Sequence, residues 1–280
     1  MPRYGMVIDL GKCQGCYNCQ IACKDEYVEN DWPPYSATQP DTGQFWMHVQ
    51  ERERGAYPRI KMAHIPLPCM QCDKPPCLNG IASDAGYKRS DGIVIFDPVK
   101  SAGQKSMQAQ CPYGVVYWND KLNIPQKCTF CAHLLDRGWT EPRCVQSCPI
   151  AAFTFGDLDD PNSDVAKLVA AGTAKSLNPE FGTNPRVYYT NMPKTFIAGT
   201  VVNGSTDECF EGAAVTLKDT ASGATMSTTT NNYGDFEFEG LDGGKTYSLT
   251  IQASGYTTIT QDSIVLKTDT YLGELVLRKS

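Results

Sequence analysis

The chain has 280 residues, a formal net charge of −6 at neutral pH and 13 cysteines. An acidic balance with a pI near 5.1 argues against a nucleic-acid partner, which calls for a basic stripe. No apolar run is long enough to cross a bilayer, and the length sets a soft expectation of two domains.

The chain opens on Met1-Pro-Arg without a secretory leader, and Tyr4–Asp9 reads as a strand running straight into a cysteine loop. So many thiols suit a reducing compartment, so a cytoplasmic location is expected, with any membrane or export role left to a partner. The run Cys13-x-x-Cys16-x-x-Cys19-x-x-x-Cys23 has the bacterial ferredoxin spacing, in which the fourth cysteine ligates the other cluster of a pair. A tight loop of this kind wraps three corners of a [4Fe–4S] cubane and leaves backbone N–H groups free to donate to the sulfurs. It cannot surround the cube, so the fourth thiolate must come from another segment.

Residues 31–65 form an insertion. Phe45, Met47 and Val49 alternate with Trp46, His48 and Gln50, which is strand periodicity. The run Glu51-Arg-Glu-Arg54 is either a solvated face or a docking surface for a large partner. A second ligand segment follows with Cys69, Cys72 and Cys77, and its register would place a fourth ligand at Ile81.

Ile93–Asp97 and Val115–Trp118 read as short strands, and a degraded segment lies between them. A full copy would carry cysteines at 101, 104, 107 and 111; here Ser101, Gln104 and Met107 precede Cys111-Pro112. Under the crossed-ligand rule, positions 81, 101, 104 and 107 together are all the ligands of one cluster. A whole set is missing and no orphan remains. The fourth segment supplies Cys128, Cys131, Cys144 and Cys148, the last followed by Pro149.

The same rule assigns three clusters. The first takes Cys13, Cys16, Cys19 and Cys148; the second takes Cys128, Cys131, Cys144 and Cys23; the third takes Cys69, Cys72, Cys77 and Cys111. A disulfide scaffold fits neither the cysteine content nor the opening of the chain. Zinc knuckles would account only for the 128–148 group and not for the run at 13–23. Cys209 stands apart and reads as a small buried hydrophobe.

Among other polar residues, His133 reads as a hydrogen-bond donor behind a cluster rather than a ligand. Lys12, Lys24 and Lys127 adjoin ligand cysteines; each is either an exposed lysine or a charge that raises a cluster's potential. Trp32, Trp46, Trp118 and Trp139 could shield clusters or form an interface. No catalytic constellation is visible.

Residues 157–195 read as a connector, with a helix over Asp164–Ala171, turns at Asn178-Pro and Asn184-Pro, and a strand at Val187–Tyr189. Beyond 195, Thr, Ser, Gly and Asn rise and alternation becomes clean, as in Phe236 and Phe238 against Glu237 and Glu239, or Tyr247, Leu249 and Ile251 against Ser248, Thr250 and Gln252. About seven such strands predict an antiparallel β-sandwich. The pattern resembles transthyretin-like and carboxypeptidase-regulatory-like domains. The expected organisation is α+β: a ferredoxin-like cluster-binding domain over 1–156 with the 31–65 insertion, a connector over 157–195, and a sandwich over 196–280.

Several motifs carry a wider resemblance. Asp91-Gly-Ile-Val-Ile, Cys111-Pro-Tyr-Gly114, Gln126-Lys-Cys-Thr-x-Cys131, Gly156-Asp-Leu-Asp-Asp-Pro161 and Gly182-Thr-x-Pro-x-Val-Tyr-Tyr189, in this cysteine order, resemble the iron–sulfur subunits of the DMSO-reductase family of molybdopterin enzymes. The set missing around Ser101 and the added sandwich resemble the branch acting on polyhydroxylated aromatics, which includes transhydroxylases. That resemblance implies an electron-transfer subunit, without an active site of its own, of a heteromeric enzyme. Its large partner would carry molybdopterin guanine dinucleotide with molybdenum or tungsten. Related alternatives are a conduit subunit of a resorcinol hydroxylase, catechol dehydroxylase or respiratory reductase. A free multi-cluster ferredoxin shuttle is a different class of answer, for which the insertion and the sandwich are superfluous.

Overall fold

Strand β1 (Tyr4–Asp9) opens a computed structural model that describes residues 1–82 and 84–280. It is followed by α1 (Asn18–Tyr27), the hairpin strands β2 (His48–Ala56) and β3 (Arg59–Leu67), the short strands β4 (Gly86–Lys88) and β5 (Val94–Phe96), and α2 (Ser106–Ala109). Next come β6 (Tyr117–Asn119), β7 (Ile124–Gln126), α3 (Ala132–Leu135), α4 (Arg143–Gln146), β8 (Phe153–Asp157), α5 (Asp164–Ala170) and β9 (Val187–Thr190). The chain divides into two units: Met1–Glu51 with His64–Met192, and Arg52–Ala63 with Pro193–Ser280.

In the first unit β1 lies between β8, antiparallel, and β9, parallel. Both faces of β1 are covered, which is why Met6, Val7 and Ile8 are consecutive apolar residues rather than an alternation. Val7 packs with Val165 of α5 and Ala174, while Met6 and Ile8 join a core that also contains the buried cysteines. Helix α5 starts where Ser163 accepts a hydrogen bond from the Ala166 N–H at 3.2 Å, an N-cap that satisfies one of the unpaired donors of the first turn. Of residues 157–195, read from the sequence as a connector, those up to Met192 therefore contribute a helix and a sheet strand to this unit. The alternation at 45–49 does not begin a strand until His48. Trp46 and Met47 are both buried, and the Trp46 ring sits 4.5 Å from that of Tyr27.

The second unit contains β10 (Thr195–Asn203), β11 (Ala214–Asp219), β12 (Thr225–Thr229), β13 (Asp235–Leu241), β14 (Thr246–Gln252), β15 (Ile259–Val265) and β16 (Thr270–Leu277). They form two sheets, ordered β13-β10-β16 and β12-β11-β14-β15. Ile197, Val201, Phe236, Phe238 and Leu277 from the first and Val215, Leu217, Tyr247, Leu249 and Ile251 from the second share one core. The alternation legible in β13 and β14 is the inward face of each sheet. The pairing departs from the antiparallel expectation at one place, where β16 runs parallel to β10. The two strands are not hairpin neighbours, so no short turn forces them to run in opposite directions.

Residues 52–63, the tip of the β2–β3 hairpin, group with this second unit. Arg54 donates to both carboxylate oxygens of Asp269, at 3.1 and 2.7 Å; Arg59 pairs with Asp235, and Lys61 with Glu237 and Glu239. The charged run is thus neither wholly solvated nor wholly free for docking. Asp269 is the keystone, since its Oδ1 also accepts the Phe196 N–H at 3.1 Å and its side chain is only 9% exposed. Removing one partner of such a pair strands the other charge, so Asp269→Ala should destabilise the protein by roughly 3 kcal/mol. Chemical denaturation followed by the emission of the second unit's aromatic residues checks this, and a change below about 0.5 kcal/mol, the scale of an exposed pair, would contradict it.

Candidate metal centres

Twelve cysteines fall into three neighbourhoods, one at each set predicted from spacing. Cys13, Cys16 and Cys19 occupy the loop before α1 and its first turn, and Cys148 comes just after α4. All four line one cavity, walled by Val49, Ile150, Ala152 and Phe153. The loop closes this tightly because Gly15, at φ 68°, lies under the His64 ring, where a Cβ would come within 2.3 Å. Cys16 is exposed and Cys13 and Cys148 are half-buried, so this neighbourhood reaches the surface of its unit.

The second neighbourhood is Cys23 on α1, Cys128, Cys131 and Cys144 on α4, all buried. Burial, reinforced by the charges of its three companions, pushes the Cys144 thiol well above its ordinary range. Cys23 is raised in the same way, first by burial and then by Cys128 and Cys131. In the third, Cys69, Cys72, Cys77 and Cys111 line one cavity with Pro75, Pro76, Val94 and Val116. Among the described residues no three His, Cys, Asp or Glu side chains converge on a single metal ion. The cysteines of the first and third sets enclose volumes instead of meeting at a point.

Backbone amides are aimed at the sulfurs. The Phe130 N–H points at Cys128 Sγ at 3.4 Å and the Ala152 N–H at Cys148 Sγ at 3.3 Å. Cys111 receives N–H groups from Tyr113, Gly114 and Val115, Cys13 from Gly15, and Cys23 from Met47. Such donors stabilise thiolate sulfur in a low-dielectric site. Desolvation wins in the metal-free protein, however, and burial pushes Cys19, Cys72, Cys77 and Cys128 each up to about 12. The donor set fits a group that carries its own positive charge into these cavities, as an iron–sulfur core does.

Two of the four positions lacking cysteine, Met107 and Ile81, pack in one apolar core. Met107 is fully buried in a small core with Cys77, Ala85, Val94, Phe96 and Val116, against which Leu78 and Ile81 pack. Ser101 is also buried, its Oγ without a partner among the described residues, and Gln104 is half-buried in the turn leading to α2.

Other residues distribute unevenly. His133 points away from the sulfurs: its Nε2 meets Glu26 at 2.9 Å, its ring stacks on Trp32 at 4.4 Å, and burial lowers its pKa despite the nearby carboxylate. Trp118 lies under Lys105, and Trp139, 40% exposed, lies under Arg143. Lys12 is exposed. Lys24 and Lys127 are buried instead, each held by backbone carbonyls: Pro40 and Gln44 for Lys24, Val94 and Cys128 for Lys127. Cys209 is exposed on the loop between β10 and β11, not the buried hydrophobe expected: the backbone on either side pairs with β10, the Asn203 N–H donating to the Glu208 carbonyl and the Phe210 N–H to the Val201 carbonyl, and the Cys209 side chain is left outside.

Spacing gave no hint of Thr183 or Arg186. Thr183 hydrogen-bonds the Cys72 thiol and the Tyr113 hydroxyl, the latter at 2.8 Å. Carbonyls of Thr183 and Asn184 accept from Lys74 and Asp73, and Arg186 donates to Asp73 at 2.6 Å. This is how the Gly182–Tyr189 motif clamps the third loop. Tyr27, bonded to Thr129 at 2.7 Å and to the Cys131 sulfur, was equally silent. Gln71 has only its position between two predicted ligands, Cys69 and Cys72, to mark it along the chain; its complete burial and its hydrogen bonds appear only in the fold.

Comparison with known proteins follows the same lines. Residues 60–158 match the 4Fe-4S dicluster domain family, and residues 196–274 the carboxypeptidase regulatory-like domain family. The chain is 44% identical to the pyrogallol hydroxytransferase small subunit of Pelobacter acidigallici, over 91% of this chain and 92% of that one. It is 32% identical to the arsenate respiratory reductase iron–sulfur subunit of a Shewanella species, covering 67% of this chain and 95% of the relative. Identity to the iron–sulfur cluster-binding subunit of menaquinone reductase from Nitratidesulfovibrio vulgaris is also 32%, over 67% and 88% respectively.

The thiol shifts carry a sign. A thiol whose pKa is raised on folding keeps its proton where the unfolded chain has lost it. Its contribution is present below the ordinary value of 9.0 and is lost as pH rises toward about 12. Metal-free, fully reduced protein should therefore lose thermal stability across that alkaline window, and a melting temperature that stays flat there would show the thiols to be solvated.

Proposed function

The chain belongs to the iron–sulfur subunits of the DMSO-reductase family of molybdopterin enzymes, and we propose that within it this protein holds three [4Fe–4S] clusters and conducts electrons for a large catalytic partner. Cys13, Cys16, Cys19 and Cys148 would hold the first; Cys23, Cys128, Cys131 and Cys144 the second; Cys69, Cys72, Cys77 and Cys111 the third. The observation that carries this reading is the gathering of these twelve thiols into three sets of four, two of them around cavities. When bound, each cluster supplies a one-electron couple, and the chain supplies the ligands, N–H donors and exclusion of water that set its potential.

The partner we infer is a subunit carrying molybdopterin guanine dinucleotide with molybdenum or tungsten, acting on polyhydroxylated aromatics in the manner of a pyrogallol–phloroglucinol transhydroxylase. Support comes from the 44% identity to the pyrogallol hydroxytransferase small subunit, which extends over the C-terminal β domain as well as the cysteine loops. Residues 196–280 would form a β-sandwich without chemistry of its own that supplies contact surface to the assembly. The many thiols suit a reducing compartment, which supports a cytoplasmic location; separately, among the described residues no helix is long and apolar enough to cross a membrane. The shuttle reading predicts a free monomer after anaerobic purification from native cells; ours predicts a stable complex with a much larger molybdopterin subunit and an extensive interface.

Metal analysis supplies the second check. Three cubanes correspond to about twelve iron per chain, and a content of about eight or about sixteen would reject the ligand assignment. Cys111→Ser should cost one cluster's iron. Met107→Ala should keep full iron while lowering stability by about 2–5 kcal/mol, since it only opens a hole in an apolar core. The reverse pattern would place the third site elsewhere.

A further inference from the structure

The second and third sets meet at a buried polar junction. Gln71, between Cys69 and Cys72, donates from Nε2 to the Cys128 carbonyl at 2.9 Å and accepts from the Val94 N–H at 2.8 Å. The Lys127 ammonium donates to the same two residues, to the carbonyl of Val94 and to that of Cys128, the latter at 3.2 Å. Val94 lines the third cavity, and Cys128 belongs to the second set. Lys127 is 2% exposed and lies 4.9 Å from the Phe96 ring centroid. Its partners among the described residues are carbonyls and a ring, none of them anionic, so its charge is left uncompensated. In a low-dielectric interior such a charge acts strongly on its surroundings.

We propose that Lys127 is the residue that sets the redox balance along the protein: a fixed positive charge between the second and third sites that holds the electron there in preference to the first site. This rests on the three-cluster reading above. No bond forms and no proton moves; one electron leaves the first cluster, which is oxidised, and enters the second or third, which is reduced. The surface-reaching first site then exchanges electrons, while the buried end stores them.

The test is a potentiometric titration, followed by electron paramagnetic resonance, of the anaerobically purified complex with dithionite as reductant. Lys127→Gln should lower the reduction equilibrium constant of two clusters at least tenfold, about 59 mV for a one-electron couple, and leave the other cluster in place. Lys127→Arg should keep all three potentials near those of the unaltered complex. A uniform shift of all three clusters, or no shift, would overturn the proposal. So would loss of iron in both Lys127→Gln and Lys127→Met, because the side chain would then be needed to assemble the loop rather than to bias it. Iron content of the unaltered complex separately tests the three-cluster reading, so failure of one is not mistaken for failure of the other.

Discussion

Everything in the first unit follows from one geometric constraint: four sulfurs must converge on each site, and no single tight loop can deliver more than three. The structure meets it with two short helices. Helix α1 carries Cys19 toward the first set and Cys23 toward the second. Helix α4 carries Cys144 in the second set, with Cys148 of the first set just beyond its end. In each case the two cysteines are four residues apart, about one helical turn, so one rigid element serves both neighbours. The Ser147 hydroxyl reaches the Asn18 carbonyl at 3.4 Å and joins the two helices directly. Strand β1, which leads into the first loop, is locked between β8 and β9, so the ends of the cysteine-bearing segment are held by one sheet.

The interior built this way is unusual in its polarity. Thiols, carbonyls, Lys24, Lys127, Gln71, Gln126 and Arg186 are buried beside Met, Ile and Phe. Each of these long polar side chains finds a carbonyl or carboxylate, and the amide N–H groups that line the loops are turned toward sulfur. Polar groups that would otherwise cost free energy thus serve to hold loops that have almost no regular secondary structure. The strands beside them are only three residues long in β4 to β7, too short to order the loops alone.

The cysteine register is local information, which is why the proposed groupings can be written down along the chain and why the Ser101–Met107 stretch stands out against it. Alternation in β13 and β14 was legible for the same reason, since one buried face imposes a period of two. What stayed hidden is information that exists only in three dimensions. Nothing near Thr183 announces that it will meet Cys72, and nothing in Glu51-Arg-Glu-Arg54 names Asp269 as the partner of Arg54. The parallel pairing of β16 with β10 depends on how the last strand returns to the first sheet, which no turn motif encodes. Lys127 could not be told from an ordinary exposed lysine, because its burial comes from Val94 and Phe96, distant in sequence.

The apolar plug around Met107 gives this arrangement a direction in time. A cubane is also a piece of interior, and on the three-cluster reading proposed above Ile81, Leu78 and Met107 take up volume that a further cubane would otherwise fill. Restoring one cysteine at position 107 would trim a buried side chain and leave a lone thiol with nothing to bind; restoring a second or a third would deepen the hole. Only the fourth change would supply a complete ligand set, and the space would still have to be cleared of Leu78. On that reading each partial restoration costs packing before a ligand set is complete, so the apolar core around Met107 opposes its own reversal.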